Sequence, residues 1–194
     1  METLILGIDD AGRGPVIGPM VLAGVLSDKE TEKHFVKLGI RDSKTILPRK
    51  REVLAREIKE KSKTFAVEIS AEEIDNKELN LNQREAVAAA QIINKLNNKK
   101  SQIKVIIDCP STNIKAWKEY LEKFIIGGSN LNILWENKAD VNNVVVSAAS
   151  IVAKERREEE IAKLKKELGI DFGSGYPADP ATKEFLKKNF NNPK

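Results

Sequence analysis

Two adjacent aspartates, Asp9 and Asp10, stand where an apolar run, TLILGID, gives way to glycine-rich sequence. Adjacent carboxylates are costly to bury without a cation, because desolvation and mutual repulsion both oppose their ionisation. A solvated turn accommodates such a pair equally well, so the pair alone decides nothing. Two further acids change the balance. Asp108 ends the apolar run IKVIID, and Asp140 immediately precedes the small, apolar stretch VNNVVVSAASIVA. Four carboxylates brought together at strand ends and a helix start form an oxygen-only donor set, the kind that Mg²⁺ or Mn²⁺ prefers.

Beside the first pair lies Gly12-Arg13-Gly14, followed by Pro15 and Gly18. Glycines let backbone amides approach a ligand, and an arginine between them can meet a phosphate through two donors. The two common phosphate-binding loops are excluded. Arg13 and Gly14 follow Gly12 where a P-loop needs Lys then Ser or Thr, and the spacing of Gly12, Gly14 and Gly18 breaks the dinucleotide pattern. A tight structural turn remains an equal reading of GRG by itself.

These residues need a scaffold, and the pattern of apolar positions supplies one. Strands are expected over Thr3 to Asp9, Val16 to Leu26, Lys63 to Ser70, Ile103 to Asp108 and Leu131 to Glu136. Helical periodicity marks Pro48 to Lys61, Asn80 to Leu96, Asn113 to Phe124 and Val144 to Leu168, with a short basic helix from Pro180. Asp140 is expected in the loop before the long helix. That helix is apolar in its first half and charged in its second, which implies burial at its start and solvation at its end. His34 reads as a bystander on a surface helix, Trp117 and Trp135 as core. Ser147 and Ser150 read as packing positions. Lys154 and Arg157 fit either a nucleic-acid backbone contact or a solvated helix face.

Composition narrows the class. At 194 residues the chain suits one main domain, here 1–170, with residues 171–194 as a loop-and-helix extension packed on it. Lys and Arg number 33 against 29 acids, a balance of +4 that only mildly favours a polyanionic partner. One cysteine, Cys109, excludes an internal disulfide, and one histidine disfavours a histidine-built zinc site. The opening residues lack a signal-peptide pattern, and Val144 to Ala153 is too short an apolar run to span a bilayer. A cytoplasmic protein without membrane attachment is the expectation.

The run GIDDAGRGPVIGPMVLAGV resembles the opening signature of the ribonuclease HII family, the type 2 ribonucleases H. RDSK at Arg41 to Lys44, IDCPSTN at Ile107 to Asn113, KAD with VVSAASIVAK between Lys138 and Lys154, and GSGYPADPAT at Gly173 to Thr182 resemble family segments in the same order. The CPSTN and GSGYP segments are similar to the archaeal branch. The resemblance implies an α/β, ribonuclease H-like fold: a central mixed β-sheet flanked by helices, with a C-terminal helical extension that helps hold a duplex. It implies an endonuclease that hydrolyses the RNA strand of RNA-DNA hybrids and nicks 5′ of ribonucleotides in DNA with two Mg²⁺ or Mn²⁺ ions. Matched residue by residue, Asp9, Asp10, Asp108 and Asp140 fall on the metal-binding acids. Gly12, Arg13 and Gly14 fall on the motif whose backbone reads the 2′-hydroxyl, Tyr176 on the tyrosine that packs on the next deoxyribose, and Lys44 on a phosphate contact. A monomer acting on nucleic acid is the implied state.

Two positions depart from the family. Asp10 stands where the family has Glu, drawing the carboxylate back by about 1.5 Å, one carbon-carbon bond. Asn137 stands where a histidine is common. The shorter Asp10 keeps open a catalytically impaired hybrid-binding protein, and clustered acids on this fold keep open another nuclease such as a junction resolvase.

Overall fold

The computed structural model describes residues 3–40, 46–109, 111 and 113–189. In chain order the strands are β1 (Thr3–Ala11), β2 (Met20–Ser27), β3 (Lys63–Ile69), β4 (Gln102–Asp108) and β5 (Leu131–Glu136). The helices are α1 (Lys29–Lys37), α2 (Pro48–Lys61), α3 (Ala71–Asp75), α4 (Leu81–Leu96), α5 (Ile114–Glu122), α6 (Ala139–Asn142), α7 (Val144–Leu168) and α8 (Pro180–Asn189). The strands form one mixed sheet in the order β3-β2-β1-β4-β5. β1 runs antiparallel to β2 and parallel to β4, and β4 runs parallel to β5. This is the α/β architecture expected from the sequence.

Alternation along β1 sorts its side chains onto two faces. Leu6 and Ile8 join Ile92, Ile93, Trp117 and Leu121 in the core beneath α4 and α5. Ile5 lies on the other face, against a core that includes Val145, Ala148, Ala149 and Val152 of α7. Gly7 allows this second layer to close. A Cβ there would lie 2.5 Å from the Val145 carbonyl carbon, so the start of α7 rests directly on the β1 backbone. Asn143 caps α7 by accepting from the Val145 and Val146 amides at 3.0 and 3.3 Å, and Gly169 at φ 66° ends it.

Several boundaries differ from the sequence reading, among them the end of β1, which runs on to Ala11. β2 begins at Met20 rather than Val16, because the amides of Val16 and Ile17 donate to the Gly175 carbonyl at 2.8 and 3.3 Å instead of joining the sheet. The helix expected from Asn113 is Ile114–Glu122, with Asn113 as its cap. Asp140 lies within the short α6, not in a loop.

Candidate functional site

The last parallel pair between β1 and β4 is Ile8 with Ile107, so Asp9 and Asp108 come next in line on the same face. α6 brings in the third acid. Its Ala139 amide donates to Asp108 Oδ1 at 3.2 Å, and the Ser147 hydroxyl donates to the Asp140 carbonyl oxygen. The result is a cluster in which one carboxylate oxygen from each of Asp9, Asp108 and Asp140 lies within 4.8 Å of the others. Asp9 and Asp140 are buried at 7% and 3% exposure.

Such crowding disfavours ionisation. Burial, with added repulsion from Asp10 and Asp108, pushes the Asp9 carboxyl up from 3.8 to about 8, against a lowering hydrogen bond from Ser150. A divalent cation would supply the missing counter-charge, and three hard oxygen donors suit it. The residues present therefore fit a divalent ion.

Asp10 is not part of this cluster. β1 continues to Ala11, so strand alternation turns Asp10 toward the face opposite Asp9. Burial raises its carboxyl; Arg13 and Lys154 lower it, while Asp108 and Asp140 raise it further. Asp10 thus feels the cluster's charge across the strand end.

The glycine-rich segment leads to a residue missed in the sequence. Arg13 donates through Nη1 to both carboxylate oxygens of Glu85 and through Nη2 to Asn82 Oδ1 at 2.7 Å. Glu85 lies in α4 at 1% exposure, its carboxyl pushed up to about 7 by burial despite Arg13. The signal was available: Glu85 occupies the stripe of Leu81, Ala89, Ile92 and Leu96, a charged residue at a core position. The guanidinium expected to meet phosphate is thus engaged with the protein. Arg13→Ala is expected to lower the melting temperature by roughly 5 °C, since it strands a buried acid. In the double variant with Glu85→Gln, most of that loss should return. Equal melting curves for Arg13→Ala and the unaltered protein would show that the pair carries no stability.

Gly12, at φ 99°, turns the chain back toward α7; a Cβ there would lie 2.7 Å from both Arg157 Nε and the Pro19 carbonyl oxygen. Gly14 lies in the open, with Tyr176 Cε1 4.0 Å from the position of its Cβ. Tyr176 is 40% exposed, so the GRG segment and the tyrosine loop share one surface. Arg157, which the sequence left between contact and solvated face, is buried against both loops. Continuing the stripe of Ala149 and Ala153 by one turn would have predicted that. Lys44 lies outside the described residues.

A mixed sheet with clustered acids at the carboxyl ends of its two central parallel strands defines a ribonuclease H-like metal-dependent hydrolase. The Ribonuclease HII family model matches residues 6–194. Ribonuclease HII of Methanosarcina barkeri is 43% identical over 190 residues, covering 94% of this chain and 84% of its own length. The ribonuclease HII solved in complex with PCNA from Archaeoglobus fulgidus superposes with a TM-score of 0.85 at 38% identity, covering 97% of this chain and 89% of that one. Ribonuclease H2 from Pyrococcus horikoshii gives 0.84 at 34% identity, covering 96% and 87%. The chain belongs to the ribonuclease HII family.

Proposed function

We propose that this protein hydrolyses the RNA strand of RNA-DNA hybrids and nicks duplex DNA on the 5′ side of an embedded ribonucleotide. The observation that carries the proposal is the Asp9, Asp108 and Asp140 cluster, adjoining a surface shared by the GRG segment and Tyr176. In the reaction a water oxygen bonds to phosphorus and the bond from phosphorus to the 3′-oxygen breaks. The products are a 5′-phosphate on the ribonucleotide and a 3′-hydroxyl on the preceding nucleotide.

Asp9, Asp108 and Asp140, with Asp10 at the strand end, would hold two Mg²⁺ or Mn²⁺ ions. Bound there, such ions supply an activated hydroxide and stabilise charge on the leaving oxygen. The remaining steps belong to the chain. Because Arg13 is occupied by Glu85 and Asn82, recognition at the GRG segment rests on its backbone amides, which Gly12 and Gly14 leave accessible to a 2′-hydroxyl. Tyr176 offers its ring to the following deoxyribose. Lys154, close enough to lower the Asp10 carboxyl, adds positive charge beside the scissile phosphate. Residues 171–194 act as the extension that helps hold the duplex. The protein works as a monomer in the cytoplasm.

A DNA duplex carrying one ribonucleotide should be nicked at that nucleotide in Mg²⁺ or Mn²⁺ and left intact with chelator. Equal cutting of an all-DNA duplex or four-way junction would instead assign the acids to another nuclease. Tight binding of the hybrid without cleavage in either metal would identify a binding protein.

A further inference from the structure

Arg157 continues the buried stripe of α7 and is only 5% exposed. A guanidinium that far from water must place its N–H groups on acceptors. Here they are backbone carbonyls from two separate loops. Nη2 donates to Ile17 O at 3.0 Å and Nε to Pro19 O at 3.2 Å, both in the segment joining β1 to β2. Nη1 reaches Ser174 O at 3.4 Å, and the guanidinium carbon lies 5.1 Å from the centre of the Tyr176 ring. The glycines around it leave no other room: a Cβ at Gly175 would come within 3.3 Å of Nη2, and one at Gly12 within 2.7 Å of Nε.

We infer that Arg157 is a positioning residue for ribonucleotide recognition: it fixes the spacing between the Gly12 to Gly14 amides and Tyr176. The inference rests on the functional reading above. If the amides address the ribose and the tyrosine addresses the sugar after it, their separation selects a step from ribose to deoxyribose. A uniform hybrid presents ribose at both places and depends less on that spacing. The planar fork matters more than the charge, because three separate nitrogens meet the three carbonyls, whereas the three donors of a lysine all radiate from one nitrogen and cannot span both loops.

The test compares single-turnover cleavage of a one-ribonucleotide duplex and a uniform RNA-DNA hybrid by the unaltered protein, Arg157→Lys and Arg157→Gln. A displacement of about 1 Å should cost about a hundredfold on the first substrate. The uniform hybrid should lose much less, so the preference between substrates collapses. The rise in melting temperature on adding Mn²⁺ should survive, because Arg157 does not touch the acids. Tyr176→Leu, at an exposed position, should reproduce the selective loss, and combining it with Arg157→Lys should lower the preference no further. Equal losses on both substrates, additive losses in the double variant, or loss of the Mn²⁺ response would overturn the inference. Failure of both Arg157 variants to melt cooperatively would assign the residue to the core alone. An unaltered protein that cuts neither substrate would refute the functional reading, and this inference with it.

Discussion

Asp9→Asn is expected to abolish cleavage and at the same time stabilise the metal-free protein. Removing a cluster carboxylate takes away several kcal/mol of metal-borne transition-state stabilisation, about a thousandfold or more in rate. The stability gain follows from proton linkage. The Asp9 carboxyl is raised from 3.8 to about 8, so between those values the folded protein holds a proton that the unfolded chain has released. Folded stability therefore falls as pH rises through that window. By pH 7 the penalty is of the order of a few kcal/mol, and asparagine, which never ionises, escapes it. With chelator at pH 7, Asp9→Asn should melt roughly 5–10 °C higher, and its melting temperature should fall less steeply from pH 5 to 8 than that of the unaltered protein, the remaining decline coming from the raised carboxyls of Glu85 and Asp10. A divalent ion should reverse the order, because it displaces the proton and binds only the folded cluster. Parallel pH profiles for the two proteins would show that Asp9 is not strained by its surroundings.

Asp10→Glu is expected to raise the cleavage rate by up to about a hundredfold in Mg²⁺, and by less in Mn²⁺. Asp10 lies across the strand end from Asp9, yet its carboxyl responds to Asp108 and Asp140 and to Lys154. One added methylene lengthens its reach by about 1.5 Å, enough for the carboxylate to bend round the strand end. Placing ions around one phosphate is sensitive to about 1 Å, and Mg²⁺ demands a stricter octahedron. The measurement is single-turnover cleavage of the one-ribonucleotide duplex by both forms in each metal. An unchanged or slower Glu variant would mean that the strand end is already set for the shorter acid.

Local pattern was sufficient for most of the scaffold. α7 spans Val144–Leu168, α2 Pro48–Lys61 and β5 Leu131–Glu136, as their periodicity, glycine and proline signals required. Those signals are carried by neighbours in the chain. The acids at Asp9, Asp108 and Asp140 were legible for a related reason: each terminates or adjoins an apolar run, and a carboxylate at the edge of a core is conspicuous in any reading.

The remaining features depend on partners distant in the chain. The amides of Val16 and Ile17 leave β2 because Gly175, far along the chain, accepts them. Arg13 is turned from a phosphate donor into half of a pair by Glu85, and Arg157 from a surface charge into a clasp by carbonyls of Ile17, Pro19 and Ser174. Adjacency in sequence even misleads at Asp9 and Asp10, since one further residue of strand sends them to opposite faces. Most of the elements, the metal-favouring chemistry of the acids and the family could be read along the chain, while the short α3 and α6 could not. Which charges meet ligand and which meet protein was decided by packing, because a buried ion must find its partner in space, wherever the chain has brought one.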